Sequence, residues 1–298
     1  MRLCRSPGAC QLRARLPWSL AFLAFAFVVV GYGSTPAVAR PIDEITASGV
    51  LRVIVYDDNA PFSWTADDGS IKGIDADIGR AIAARLGVKA DIIARTAGEE
   101  ADDDLRSNIW QGPRTGGLVG DVMMHVPMEK EFIARNNLVA ISNAYHHEQT
   151  VLVVHPDMVD PEKGLAAFDS AKLAVQFATV AHYYAMFADA ERYKANINPY
   201  RKFDAVAEAF LDRSNAGILG RRSEIEAALA GKAGDFRILH PKFETYMRMA
   251  WTIGTAVKFD SRDTGYEVGK AMAELRASGA LERIFKAHGV TLVEPPAP

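Results

Sequence analysis

The chain has 298 residues, of which 49% are hydrophobic and 24% are charged, and its formal net charge is −3. This composition is typical of a globular protein with one large or two medium domains. A mildly acidic chain without a Lys/Arg run is a poor candidate for binding nucleic acid or an anionic lipid surface.

The N-terminal 39 residues have the pattern of a secretory signal peptide. Four arginines precede an apolar run of about 15 residues, Leu16 to Val30, and Ala37-Val38-Ala39 offers a cleavage site before Arg40. An uncleaved membrane anchor is the alternative, but a bilayer span needs about 20 residues. Cleavage removes both cysteines, four of the 34 basic residues and none of the 37 acidic ones, so the mature charge is near −7. We therefore expect a thiol-free protein of the periplasm.

The first part of the predicted fold contains a candidate binding loop. The apolar run Val50–Tyr56 predicts a buried strand. Asp57–Phe62 then breaks the pattern with two acids, an Asn and a Pro, which predicts a loop over Asp57–Trp64. From Asp75 the apolar positions recur at helical spacing until Gly87, and a second strand begins near Lys89. Small molecules bind outside the carboxyl ends of strands in open α/β sheets, so the loop is predicted to lie at a cleft.

Strand-like runs and helical segments alternate along the rest of the chain. The predicted strands are Asp121–Val126, Leu138–Ile141, Thr150–Val154, Lys172–Phe177, Ala216–Leu219 and Phe236–Leu239. The predicted helices are Asp102–Trp110, His182–Lys194, Phe203–Leu211, Glu224–Leu229, Thr264–Ser278 and Leu281–His288. This alternation predicts an α/β protein with helices on both faces of its sheets.

Three stretches carry a resemblance to a known family. LRVIVYDDNAPFSW and DGSIKGIDADIGRAIAARLGV, near the start, and GKAMAELRASGALERIFKAHGV, near the end, resemble periplasmic solute-binding proteins of the amino-acid type, family 3. The resemblance implies a two-lobed type II periplasmic-binding-protein fold. Each lobe is then a mixed sheet flanked by helices, and two hinge crossovers join the lobes. The first lobe is expected at 40–143 plus 250–298, and the second at 144–249.

The resemblance implies a substrate-binding component of an ABC-type importer, a monomer that closes on a small polar solute and presents it to a membrane permease. The amino-acid clamp of this family is altered here. HVPMEKEFIAR lacks the Thr-x-x-Arg motif, leaving Lys130 and Arg135 as the nearest cations. Gly220-Arg221-Arg222 stands where an ammonium-binding Asp is usual. We therefore expect a solute other than an ordinary α-amino acid.

The candidate ligand contacts all come from segments that the resemblance brings to the cleft. They are Asp58, Asn59, Phe62, Trp64, His125, Lys130, Thr179, Arg221 and Arg222.

Several of these candidates also have a purely structural interpretation. Phe62 suits a plug under the loop, and His125 suits a partly buried histidine whose hydrogen bonds are satisfied. Thr179 suits a simple helix N-cap. Arg221 and Arg222 suit a solvated turn before a helix.

No enzyme signature is found in the sequence. It has no G-x-S-x-G, P-loop, H-E-x-x-H or Rossmann glycine set, and we expect no cofactor and no catalysis. His146-His147-Glu148 is weak evidence for a metal site, because adjacent residues of a strand point in different directions. Two alternatives to solute transport stay open. One is an accessory protein of a periplasmic quinoprotein alcohol dehydrogenase of the methanol type, and the other is an enzyme such as a dehydratase on this scaffold.

Overall fold

A computed structural model describes residues 39–296, except 115, 233 and 244–246. Residues 1–38 of the predicted signal peptide therefore lie outside the described residues. Within the described ranges, no helix combines the length and the apolar character needed to cross a bilayer.

The described residues form alternating strands and helices, as the periodicity predicts. The helices are α1 (Ile42–Ser48), α2 (Ile74–Arg85), α3 (Ala101–Leu105), α4 (Lys130–Arg135), α5 (Val180–Glu191), α6 (Phe203–Leu211), α7 (Arg222–Leu229), α8 (Arg262–Ala277) and α9 (Ala280–Ala287). The strands are β1 (Val50–Tyr56), β2 (Asp58–Asn59), β3 (Ser63–Thr65), β4 (Ile71–Lys72), β5 (Lys89–Arg95), β6 (Val122–Pro127), β7 (Val139–Val154), β8 (Leu173–Gln176), β9 (Ile197–Tyr200), β10 (Gly217–Arg221), β11 (Arg237–Leu239) and β12 (Ala250–Lys258). A π-helical turn follows α3 at Arg106–Trp110, and 3-10 turns lie at Pro161–Asp169, Lys194–Asn196 and Phe259–Ser261.

The main sheet has the strand order β5-β1-β6-β12-β7-β10-β8-β9, and β11 also pairs with β7. In the first lobe β1 runs parallel to β5 and β6, and in the second lobe β8 runs parallel to β9 and β10. Strands β7 and β12 pair antiparallel in the middle of this order. The structure thus confirms a two-lobed α/β fold with mixed sheets and two crossovers. The exact lobe boundaries stay predictions; they fall within β7 and at the start of β12.

The paired crossover strands contain an irregularity. The register of β12 on β7 shifts between Ile253 and Thr255, opposite Asn143, whose φ is +56°. The Asn143 amide donates to Thr255 Oγ1 at 3.2 Å and to the Gly265 carbonyl at 3.1 Å. A Cβ at Gly254 would lie 2.6 Å from the Ser142 carbonyl oxygen, so a side chain does not fit there. A bulge of this kind bends a strand locally, here at the crossover.

Buried side chains cover both faces of each lobe's sheet. In the first lobe Ile78 and Phe285 belong to the cluster on one face, and Leu105 and Phe132 to that on the other. In the second lobe the corresponding clusters contain Phe168 and Tyr184, and Val206 and Phe210. These apolar faces keep the strand ends in fixed positions, and the candidate site lies at those ends.

Candidate functional site

A cavity of about 790 Å³ lies between loops of the two lobes. From the first lobe it is lined by the loop after β1 and by the C-terminal region, and from the second lobe by residues at the ends of β8, β9 and β10 and on the following helices. The lining residues are Asp58, Asn59, Ala60, Pro61, Trp64, Gln176, Arg201, Lys202, Phe203, Asp204, Arg221, Glu224, Ala227, Ala228 and His288. Since β8, β9 and β10 are parallel, their carboxyl ends share one edge of the sheet, which is where α/β proteins bind ligands.

Arg221 connects the two sides of this cavity. It is the last residue of β10, and its Nη1 donates to Oδ1 of Asn59, in the loop of the other lobe, at 2.9 Å. Its Nη2 pairs with the Glu224 carboxylate, one turn into α7. Burial lowers the pKa of Arg221, but the neighbouring Glu224 and Glu148 carboxylates outweigh burial and raise that pKa overall. The guanidinium therefore stays charged at any physiological pH.

The outer part of the cavity carries charges of both signs. Asp58, Arg201, Lys202 and Asp204 are exposed there, and within the described ranges none of them forms an ion pair. The Trp64 ring meets the imidazole of His288 edge to face at 6.1 Å. Opposite charges so arranged suit a polar solute without a large net charge.

A smaller pocket of about 230 Å³ adjoins the cavity, and residues of the second lobe line it together with Trp251 near the start of β12. The two share the lining residues Gln176, Phe203, Arg221 and Glu224, so the pocket opens on the cavity. Thr179 lines it at the start of α5. The Thr179 hydroxyl donates to the Gln176 carbonyl at 2.7 Å and accepts from the His182 N–H at 3.2 Å, so it serves as an N-cap.

The structure brings five of the predicted contacts to these two spaces. Asp58, Asn59, Trp64 and Arg221 line the larger cavity, and Thr179 and Arg221 line the smaller pocket. Their roles in binding stay predictions.

Phe62 lies under the loop rather than in the cavity. Its ring is fully buried and packs edge to face on His125 at 4.5 Å and on Phe285 at 6.3 Å. The loop is held close by Gly73, where a Cβ would lie 2.2 Å from the Phe62 carbonyl oxygen. This placement favours the structural interpretation of Phe62.

His125 takes part in a buried polar cluster beneath the same loop. Its Nδ1 lies 3.1 Å from Oδ2 of Asp75, whose other oxygen accepts from the Tyr145 hydroxyl at 2.6 Å. The backbone of His125 has φ +61°, and its N–H donates to the Tyr145 oxygen at 3.1 Å. Burial and the Asp75 carboxylate raise the pKa of Tyr145 well above its usual value. These contacts explain His125 without a ligand.

Lys130 and Arg222 also lie away from both spaces. Lys130 is exposed at the start of α4 and lines neither of them. The Arg222 guanidinium donates to Glu226 at 2.6 Å, and the other Glu226 oxygen accepts from the Thr291 N–H at 2.6 Å. Arg222 therefore helps to hold the C-terminal segment on α7.

Sequence reasoning missed several residues that line the two spaces. They are Thr150, Gln176, Arg201, Lys202, Phe203, Asp204, Glu224, Trp251 and His288. The rule on strand ends already pointed to Gln176, because a strand was predicted there. It could not point to Arg201 and Lys202, because β9 is short and contains Pro199, which argues against a strand.

The C-terminal segment after α9 crosses the hinge strand β7. The Val293 carbonyl accepts from the His147 N–H at 2.9 Å, and the Val293 N–H donates to His146 Nδ1 at 3.3 Å. Burial, and to a lesser extent electrostatic interactions with His125, His147 and Arg222, lower the pKa of His146 to about 3. His146 is therefore neutral in the folded protein, as an acceptor must be.

We expect this histidine to make stability depend on pH. The unfolded chain takes up a proton near pH 6.5 and the folded chain only near pH 3, so stability rises with pH across that window. The titration of His146 alone should lower the free energy of unfolding by about 1 kcal/mol when the pH falls from 7 to 5.5. Urea unfolding at both pH values measures this loss. His146→Asn keeps an acceptor but does not titrate, and an equal loss in that variant would assign the effect elsewhere.

The described residues were compared with the ligand sets that bind metal ions. Over the described ranges, no three His, Cys, Asp or Glu side chains converge as metal ligands. His146 and His147 instead bond to Val293 and, at 3.0 Å, to the Thr252 hydroxyl.

Comparison with known proteins supports this fold. Residues 51–110 match the model of the bacterial extracellular solute-binding proteins, family 3. No curated protein sequence matched the chain.

Solved structures match over most of the chain. An ancestral cationic amino acid solute-binding protein has a TM-score of 0.64 and 20% identity, over 83% of this chain and 99% of that one. The unliganded, open L-cystine solute receptor of Neisseria gonorrhoeae has a TM-score of 0.60 and 18% identity, over 86% of this chain and 100% of that one. An arginine-bound amino acid ABC transporter substrate-binding protein from Streptococcus pneumoniae has a TM-score of 0.55 and 21% identity, over 85% of this chain and 99% of that one. The chain therefore has the two-lobed type II periplasmic-binding-protein fold, and its residues 51–110 match family 3 of the bacterial extracellular solute-binding proteins.

Proposed function

We propose that the protein is the substrate-binding component of an ABC-type importer in the periplasm, and that it closes on a small polar solute other than an ordinary α-amino acid. The observation that carries this proposal is the cavity of about 790 Å³ between the lobes, spanned by the bond from Arg221 to Asn59. Its volume falls within the range of small-molecule sites. One structural match is described as an ABC transporter substrate-binding protein, which supports the transport role.

The choice of solute follows from the charges in the cavity. Glu224 supplies a carboxylate near the position where family members bind an ammonium group, but Arg221 already pairs with it. Lys130, the nearest cation in the altered Thr-x-x-Arg region, does not line the cavity. An α-amino acid held in the family's way would therefore have to break an existing ion pair. Within the described residues, the cations without an ion pair that line the cavity, Arg201 and Lys202, lie in the second lobe and not at the position of the missing arginine. Closure itself needs no covalent chemistry, which agrees with a protein that is not an enzyme.

The role of an accessory protein for a quinoprotein dehydrogenase has no support in the comparisons. The structural matches are described as amino-acid binding proteins and solute receptors. We therefore favour transport.

Mass spectrometry of the molecule that copurifies with the protein tests this function directly. Thermal unfolding with each common amino acid should show no stabilisation. The test is sensitive, because a ligand that binds would add about 2.7 kcal/mol of stability at an excess of about a hundredfold over its Kd. A clear increase in Tm with glutamine or arginine would contradict the proposed solute class. A protein that binds no small molecule at all would contradict the function itself.

A pair of variants tests the role of Arg221. Arg221→Gln should weaken binding of the copurified solute by about 10- to 100-fold, because it removes the charged donor that bonds to Asn59 across the cavity. A hydrogen bond from a charged group contributes about 1.5–3 kcal/mol. Arg222→Gln is the matched control, since that neighbour pairs with Glu226 outside the cavity. Isothermal titration measures both, and equal affinities in the two variants would remove Arg221 from the site.

A further inference from the structure

The smaller pocket has mostly apolar walls. Val180, Ala181, Phe203, Leu219 and Trp251 line it, and Leu219 and Ala181 are buried. A dry cavity of about 150 Å³ in another protein holds a benzene molecule. At about 230 Å³, this pocket has room for a ring that carries a substituent.

The polar groups of the pocket are mainly neutral or already paired. The Gln176 amide and the Thr150 hydroxyl have no hydrogen-bond partner within the described part of the chain, so they are available to a ligand. Each can both donate and accept. The charged groups, Arg221 and Glu224, already pair with each other.

We infer that this pocket binds the apolar part of an uncharged amphipathic solute, a ring or branched aliphatic group attached to a hydroxyl or an amide. The inference rests on the proposed solute-binding function and specifies its solute class. The apolar group fills the pocket, and the neutral head meets Gln176, which lines both spaces, and Thr150, which lines the pocket. A carboxylate or ammonium head is disfavoured because it must first separate Arg221 from Glu224.

The ligand class is tested on the chain from residue 40 with five probes: benzamide, benzyl alcohol, acetamide, benzoate and benzylamine. Saturation-transfer NMR followed by titration measures each Kd. We expect benzamide and benzyl alcohol to bind at least about tenfold more tightly than the other three probes. Acetamide lacks the ring, and benzoate and benzylamine carry charged heads. Equal binding of acetamide, or tighter binding of benzoate or benzylamine, would overturn the inference.

Variants locate the binding. Val180 is 44% exposed at the edge of the pocket, and Val180→Trp should block it and weaken benzamide at least about tenfold. Tyr183→Trp is the control, since this residue is 45% exposed on the same helix but does not line the pocket. Gln176→Leu should weaken the binding of benzamide. Toluene, a further probe that has the ring but no polar head, should bind this variant as it binds the unchanged protein.

The outcomes separate this inference from the proposed function. If Val180→Trp and Tyr183→Trp bind benzamide equally, the pocket is not the site. A polar solute that copurifies with the protein while no ring compound binds would leave the function standing and reject the inference. Failure of every solute would reject both.

Discussion

Replacing Phe62 by alanine should lower the free energy of unfolding by about 3–5 kcal/mol. The ring is fully buried beneath the loop Asp58–Pro61 and packs on His125, His146 and Phe285. Alanine would leave a cavity that these rings cannot fill without moving. Urea unfolding of the chain from residue 40 measures the loss.

The Phe62 experiment also decides between the two interpretations of this residue. Phe187→Ala is a suitable control, because that ring is 51% exposed and its loss should change stability by less than about 1 kcal/mol. Phe62→Leu should lose less than Phe62→Ala because it keeps most of the buried volume. A Phe62→Ala protein of nearly normal stability that no longer binds solute would instead make Phe62 a direct ligand contact.

The second large effect is expected at Asp121. Asp121→Ala should destabilise the protein by about 3–5 kcal/mol, because it leaves the largely buried Arg40 guanidinium without its carboxylate partner. The buried Asp121 carboxylate accepts from Nη2 of Arg40 at 2.6 Å, from Nε of Arg40 at 3.1 Å and from the Arg52 N–H at 2.8 Å. Its hydrogen bond to the Arg40 guanidinium raises the pKa of Arg40.

Denaturant unfolding of a double-mutant cycle isolates this ion pair. Arg40→Met alone should also be costly, since Asp121 keeps only the backbone N–H donors of residues 40 and 52, at 3.3 Å and 2.8 Å. The double variant should cost less than the two single changes together. Asp43→Ala, at an exposed position of α1, is the control. Additive losses would mean that Arg40 and Asp121 act independently. Arg40 directly follows the predicted cleavage site, so the result also shows how firmly the start of the mature chain is held.

The sequence by itself determined the elements whose pattern is local. Apolar runs and helical spacing predicted β1, α2 and the last two helices, and the structure confirms them. The break after Tyr56 predicted a loop at a strand end, and this loop carries Asp58, Asn59 and Trp64 into the cavity wall. Such predictions succeed because the side chains of a strand or helix repeat with a fixed period, whatever the distant chain does.

Only the tertiary structure decided which candidates meet. Arg221 reaches Asn59 across 162 positions of sequence, and His125 is drawn to Asp75 across 50. The unpredicted strand β9 brings Arg201 and Lys202 to the same cavity. The physical reason is that hydrogen bonding and burial depend on which distant elements pack together, and a local pattern does not encode those contacts. Phe62 shows this most clearly, because its position in the loop left both a cleft contact and a buried plug open, and its packing on His125, His146 and Phe285 supports the plug.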